Sequence, residues 1–143
     1  MTARRVLLND VDAAGVVFYA RIMAMAHEAY EEAMARAGLA LDELIRAGRA
    51  GQSVRIGLPL VHAEADFSRP LMHGELVETR VALERVGEKS LTVSVAFSVG
   101  GQPAAVVKQV HACVDMDRRE SVVVPPEMRA KLALLGMTAV GDA

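Results

Sequence analysis

The 143-residue chain has no tryptophan, and its tyrosines and phenylalanines number two and three. So few rings leave little to stack nucleic-acid bases on. A net charge of −2, from 16 basic and 18 acidic residues, gives no general attraction to nucleic acid or to an anionic membrane. There is one cysteine, Cys113, which excludes an internal disulfide and leaves a thiolate metal cluster without ligands. It is expected as a small buried residue on a strand, and no metal is expected. Hydrophobic residues make up 52% of the chain, yet no apolar run is as long as a membrane span. Met1-Thr2-Ala3-Arg4-Arg5 lacks the apolar segment of a secretion signal, so a cytoplasmic protein is expected. The length fits one domain, residues 1–143. Its apolar surplus points to contact with another subunit.

What is present divides by periodicity. Arg4 to Leu8 is a short strand-like run. From Phe18 the period becomes helical: Phe18, Ile22, Met25, Ala26, Ala29, Ala33 and Ala37 form one apolar stripe, with His27, Glu28, Glu31 and Glu32 mostly off it. The spacing predicts a helix over 20–37 that ends at Gly38. Such a helix is about 30 Å long, enough to lie along a sheet for its full width. Leu41 to Arg46 reads as a second short helix, followed by a flexible Gly48-Arg49-Ala50-Gly51 loop.

After that the period is two. Leu60 to Phe67, Leu76 to Val86, Ser90 to Ser98 and Ala104 to Met116 read as strands, the third with Leu91, Val93, Val95 and Phe97 in strict alternation. Arg69-Pro70 and His73-Gly74 mark a turn, with Arg69 expected to anchor it through a carboxylate. Gly100-Gly101 signals a hairpin. Pro125-Pro126 opens a terminal helix over 126–136. Tight turns predict that consecutive strands are antiparallel neighbours, and one helix covers only one face of such a sheet. An α+β domain that completes its core or joins sheet edges with a second copy is therefore expected.

The connection before the long helix, Asn9-Asp10-Val11-Asp12-Ala13-Ala14-Gly15-Val16-Val17-Phe18-Tyr19, has two carboxylates and a glycine where a helix begins. The first N–H groups of a helix lack partners within it and carry partial positive charge, so they favour an anion or polarise a carbonyl. Asp10 reads as a turn former whose charge biases its neighbour, and Asp12, by residue type alone, as a turn or helix-entry residue that satisfies backbone donors.

Residues 10–19 resemble the signature of the hot-dog-fold acyl-CoA thioesterases of the 4-hydroxybenzoyl-CoA thioesterase family. His27-Glu28-Ala29-Tyr30-Glu31-Glu32 and residues 58–70, LPLVHAEADFSRP, are most similar to its 1,4-dihydroxy-2-naphthoyl-CoA thioesterase branch. The resemblance covers about residues 4 to 116. It implies an antiparallel sheet of about five strands wrapped around one long central helix. It also implies Asp12 as nucleophile or general base, Gly15 as the turn residue, and the Tyr19 backbone N–H as donor to the thioester carbonyl. No cofactor is implied, since coenzyme A is part of the substrate. Some relatives have proline where this chain has Ala13. A branch that takes its carboxylate from within the helix uses a His-Gly-Gly entrance that is absent here, which argues against Glu28 and Glu31.

Phe18 is expected to line an acyl pocket, and His62 to bond a substrate hydroxyl. The phosphates of coenzyme A call for a basic mouth: Arg85, Lys89 and Ser90 by position, then Arg118 and Arg119. The implied activity is hydrolysis of an aromatic acyl-CoA by a homo-oligomer, a dimer or a dimer of dimers (homotetramer) with sites between subunits. The alternatives are a thioesterase for short or branched aliphatic acyl-CoA and a non-catalytic acyl-CoA-binding module of the same fold.

Overall fold

The computed structural model describes residues 2–46 and 54–135. Its centre is the helix α1 (Tyr19–Arg36), one residue from each predicted bound. Ile22, Met25, Ala26, Ala29 and Ala33 of the predicted stripe are buried, joined by Tyr30 and Met34. Phe18 is not: it precedes the helix as its N-cap and is 39% exposed. Leu39 N–H and Gly38 N–H bond back to Met34 and Ala35 carbonyls, which closes the helix where the glycine predicts. A shorter helix, α2 (Leu41–Leu44), follows. The predicted loop at 48–51 lies outside the described residues.

The helix packs on one face of a five-stranded antiparallel sheet in the order β1-β4-β5-β6-β3, built from β1 (Thr2–Arg5), β3 (Leu60–Phe67), β4 (Leu76–Val86), β5 (Ser90–Val99) and β6 (Gln102–Ala112). Alternation decides which side chains meet the helix. Leu91, Val93, Val95 and Phe97 of β5 are each at most 1% exposed, beside Val77 and Leu83 of β4 and Val107 of β6. Truncating Phe97, fully buried at the end of this row, costs about 3–5 kcal/mol. On the opposite face the polar members of the pattern pair with one another. Ser94 donates to Glu84 at 2.7 Å, and Lys108 reaches the other Glu84 oxygen at 3.0 Å.

Gly100 and Gly101, with φ of 56° and 81°, make the tight β5–β6 turn predicted for them. The expectation of consecutive neighbours holds for β4, β5 and β6 but fails for β3. β3 pairs with β6 and lies at the sheet's edge. The reason is its connection to β4, residues 68–75, which is too long for a hairpin and crosses the end of the sheet, with Ser68 and Arg69 N–H both on the Ala104 carbonyl.

The last predicted strand also stops early, at Ala112. The chain breaks step at Cys113 and continues as β7 (Val114–Asp115) between β2 (Ile56–Gly57) and β8 (Glu120–Ser121) in a second, small sheet. Cys113 is buried as expected, and burial raises its thiol pKa. The terminal helix α3 (Pro126–Leu132) tightens to a 3-10 turn over Ala133–Leu135. Gly136, its predicted end, lies outside the described residues.

Candidate active site

The connection between β1 and α1 folds back on itself. A 3-10 turn over Leu8–Asp10 is followed by a bridge between Val11 and Val17, with Asp12 N–H on the Val16 carbonyl at 3.0 Å and Gly15 N–H on the Asp12 carbonyl at 3.0 Å. Gly15 has φ 79°, the left-handed turn that a glycine adopts without cost. Asp12 is exposed on this small hairpin. Its Oδ1 accepts the Ala14 N–H at 2.9 Å, and among the described residues no other hydrogen bond to its carboxylate is found.

The returning arm leads into the helix. Phe18 gives no side-chain cap, and the first N–H groups to find a partner are those of Arg21 and Ile22, both on the Phe18 carbonyl. The preceding donors, Tyr19 and Ala20, are left at an open end where Tyr19 is 73% exposed. Asp12 and Gly15 thus lie on the hairpin whose returning arm carries Phe18 and the Tyr19 backbone into the helix. An exposed carboxylate on the hairpin that leads into an uncapped helix start supplies the two kinds of group that acyl transfer uses: one to attack or deprotonate, and donors for the oxygen on which charge develops.

Two features hold this turn. Asp10, two residues before Asp12, is completely buried. It accepts the Leu7 N–H at 2.8 Å, Arg21 Nε at 2.8 Å and Arg4 Nη2 at 3.2 Å. Burial alone raises a carboxyl pKa, but the Leu7 N–H and the Arg21 and Arg4 guanidiniums outweigh it and hold Asp10 below the usual aspartate value. Arg21 also reaches Glu28 at 3.1 Å, which gives that helix glutamate a structural partner. The second feature is the segment 71–73. Val17 N–H bonds the Leu71 carbonyl at 2.9 Å, and His73 N–H bonds the Gly15 carbonyl at 3.0 Å. Leu71 and His73 were not among the sequence candidates; an apolar Leu71-Met72 pair inside an otherwise polar turn is the signal that marks the segment. Arg69 does anchor this turn, through Glu75 at 2.7 Å.

The other candidates lie elsewhere in the protomer. The Asp12 turn sits at the Leu76 end of β4, where Arg5 pairs with Leu76. Arg85 is almost at the other end of that strand, and Lys89 and Ser90 lie in and beyond the following turn. Ten residue steps along a strand amount to about 33 Å, so these three do not form a mouth over Asp12 of the same chain. Arg118 and Arg119 stand in the β7–β8 turn, also at the far end; Arg118 pairs with Glu120 and Arg119 has φ 57°. His62 is exposed on the edge strand β3, with Glu64 at 3.3 Å.

The buried histidine is a different one. His111 stacks on Tyr30 with ring centroids 4.1 Å apart. Its Nδ1 lies 3.0 Å from the Leu58 carbonyl. Burial lowers its pKa against the opposing effect of that carbonyl. A neutral ring donating from Nδ1 therefore fastens the β2–β3 connection to β6. Among the described residues, no group of three or more His, Cys, Asp or Glu is placed to hold a metal ion, and no helix is long and apolar enough to cross a membrane.

The architecture and sequence have close counterparts. A 1,4-dihydroxy-2-naphthoyl-CoA hydrolase of Synechococcus elongatus is 31% identical over 126 residues, 88% of this chain and 89% of that one. A solved 1,4-dihydroxy-2-naphthoyl-CoA thioesterase from Synechocystis superposes with a TM-score of 0.78 at 27% identity, covering 92% of this chain and 93% of that chain. A gentisyl-coenzyme A thioesterase superposes with a TM-score of 0.78 at 26% identity, covering 93% and 99%. The thioesterase-like superfamily model matches residues 6–132. The helix-in-sheet architecture is therefore the expected hot-dog fold, and this chain, a thioester hydrolase, belongs to the thioesterase-like superfamily.

Proposed function

We propose that the protein hydrolyses an aromatic acyl-CoA, with 1,4-dihydroxy-2-naphthoyl-CoA as the specific substrate, to the free acid and coenzyme A. One observation carries this reading: the exposed Asp12 carboxylate stands on a short hairpin whose other arm runs straight into the open N-terminus of α1. The thioester carbonyl oxygen takes the Tyr19 N–H, and Asp12 either attacks the carbonyl carbon or removes a proton from the water that does. Gly15 keeps the two arms in register. A single well-placed donor at the developing oxyanion contributes about 3 kcal/mol to such a transition state. The names of the relatives support the aromatic acyl group.

The basic residues at the far end of the sheet are the reason to place the site between two chains. β3 is an edge strand, with Leu60, Val61, Glu64, Asp66 and Phe67 all exposed. Pairing two β3 strands antiparallel sets the Leu60 end of one chain beside the Phe67 end of the other. The Arg85, Lys89 and Ser90 turn then approaches the partner's catalytic hairpin and supplies cations for the phosphates of coenzyme A. The same operation brings an apolar cleft of about 430 Å³, lined by Leu44, Ile56, Leu58, Pro59 and Met116, toward that hairpin as room for a bulky acyl group. On this reading Phe18, from the partner's hairpin arm, and His62, on the shared edge strand, are the further residues offered to the acyl group. Sedimentation at micromolar concentration is expected to give at least a dimer, and a monomeric mass overturns the shared site.

The deciding experiment measures thiol release from a panel of acyl-CoAs. Hydroxylated aromatic thioesters are expected to turn over with the highest kcat/KM. Faster release from short or branched aliphatic thioesters transfers the assignment to that class. Saturable binding with no thiol release from any of them marks a binding module in place of an enzyme.

A further inference from the structure

Residues 69–75 form a strap between β3 and β4, and both ends of the catalytic segment are sewn to it. At the entry, Val6 N–H bonds the Glu75 carbonyl at 2.9 Å and Gly74 N–H bonds the Val6 carbonyl at 3.0 Å. At the exit, Val17 N–H bonds the Leu71 carbonyl, His73 N–H bonds the Gly15 carbonyl, and Val16 bridges Met72. Between those points Asp12, Ala13 and Ala14 are exposed. They have no packed side chains to locate them. With the Asp10 cage fixing the entry side, the exit side of the turn, and with it the position of Asp12 against the Tyr19 N–H, depends on the strap.

The strap is itself closed by one side chain. Glu75 Oε2 accepts Arg69 Nη2 at 2.7 Å, and Oε1 accepts the Met72 N–H at 2.6 Å. The carboxylate thus spans the strap from its first residue to its last and takes up the amide of the residue that bridges Val16. Arg69 is fixed in turn by its backbone N–H on the Ala104 carbonyl of β6, at 3.2 Å. The pair is mostly shielded, with the two side chains 30% and 22% exposed. Charge-assisted bonds of this length in such surroundings are the strong kind.

We propose that Glu75 and Arg69 are a positioning pair for thioester hydrolysis, acting through the 71–73 backbone to set the separation between the Asp12 carboxylate and the Tyr19 N–H. This rests on the reaction proposed for Asp12. Neither side chain contacts the reacting atoms. Their effect is on the geometry of a near-attack arrangement, where a displacement of about 1 Å costs up to about 100-fold in rate.

The test compares Glu75→Ala, Glu75→Gln, Arg69→Ala and the Glu75→Ala/Arg69→Ala double variant well below their melting temperatures. Glu75→Ala is expected to lower kcat about 10- to 100-fold with KM within about twofold of the parent. Glu75→Gln, which keeps an acceptor for the Met72 N–H but loses the charge that holds Arg69, is expected to recover only part of the loss. The double variant falls no lower than the worse single one, because the pair acts as a unit. Amide hydrogen exchange at Val17 and His73 supplies a readout independent of turnover: it accelerates in Glu75→Ala and stays at the parent rate in Asp12→Asn. It applies even if the parent releases no thiol, so a failure of the reaction is distinguished from a failure of the strap. An unchanged kcat in folded Glu75→Ala, or Val17 and His73 amides exchanging as slowly as in the parent, overturns the proposal. If Glu75→Ala does not fold, Arg69→Gln takes its place. It breaks the ion pair and spares the Met72 bond; a lower kcat at constant KM supports the pair, and an unchanged kcat overturns it.

Discussion

Asp10 and Asp12 stand two residues apart on the same connection, and their surroundings are opposite. Asp10 is completely buried and accepts bonds from the Leu7 N–H, Arg4 and Arg21. Asp12 is exposed and, among the described residues, accepts only the Ala14 N–H. An isolated buried carboxylate costs several kcal/mol, so Asp10 is tolerable only because two guanidiniums and an amide surround it, and its oxygens are fully engaged by that task. Asp12 has an oxygen left over. Two identical groups thus divide into one that fixes where the connection leaves β1 and one that, in the proposed reaction, meets the substrate, and the pattern Asp-x-Asp does not by itself say which is which.

The largest effect expected from breaking this contrast falls on Asp12. Asp12→Asn is nearly isosteric and keeps an oxygen for the Ala14 N–H, so stability should change by less than about 0.5 kcal/mol. Turnover should drop about 1000-fold, within the range of a lost general base or nucleophile. An unchanged kcat in steady-state thiol release removes Asp12 from the mechanism.

Asp10→Asn should do the reverse. It leaves Arg4 and Arg21 with only the exposed Glu28 as a shared counter-charge among the described residues, and denaturant unfolding should show a loss of about 3 kcal/mol, the low end for a broken buried pair because both guanidiniums reach water. kcat, measured where the variant is folded, should fall far less than in Asp12→Asn. The same group sets a dependence on acid. Its folded pKa is depressed, so its stabilisation is present above the unfolded aspartate value of about 3.9 and is lost as pH falls from there through the folded value. In Asp10→Asn that part of the acid slope of stability should be missing. An unchanged slope assigns acid unfolding to other carboxylates.

How far the sequence carried these conclusions depended on distance along the chain. The strict alternation of Leu91 to Phe97 reads directly as a buried strand face, and the Phe18 to Ala37 spacing reads as a helix, because both patterns are local. The Asp12-to-Tyr19 hairpin is local too. The edge position of β3 is not: it follows from which strand has a free side after the hairpins form, and no periodicity encodes that. Arg85 and Lys89, chosen by their position at a strand turn, were therefore expected near a site that lies at the far end of the same sheet. The Asp10 cage joins residues 4, 10 and 21, and the strap joins residues 6 and 15–17 to 71–75. These contacts come into being only once the sheet's end is closed. Tyr30 and Met34 were missed for a simpler reason, since the helix lies deeper in the sheet than a single stripe requires.

The smallest expected effect concerns Gly15, which keeps Asp12 on the exposed side of the contrast. A Cβ added there meets no atom within 4 Å, so Gly15→Ala carries no steric clash, only the strain of φ 79° on a residue with a side chain. That strain amounts to about 1–2 kcal/mol, part of which the hairpin relieves by shifting. Because the Gly15 carbonyl receives the His73 N–H, the shift moves the hairpin relative to the strap. A stability loss of about 1 kcal/mol and a kcat reduced about threefold to tenfold are expected. Gly15→Asn should lose less of both, since asparagine tolerates the left-handed region better than alanine. If instead Gly15→Ala and Gly15→Asn lose activity equally and almost completely while stability holds, glycine is needed there for close approach of the substrate, and Asp12 owes its reactivity to an open surface as well as to its freedom from partners.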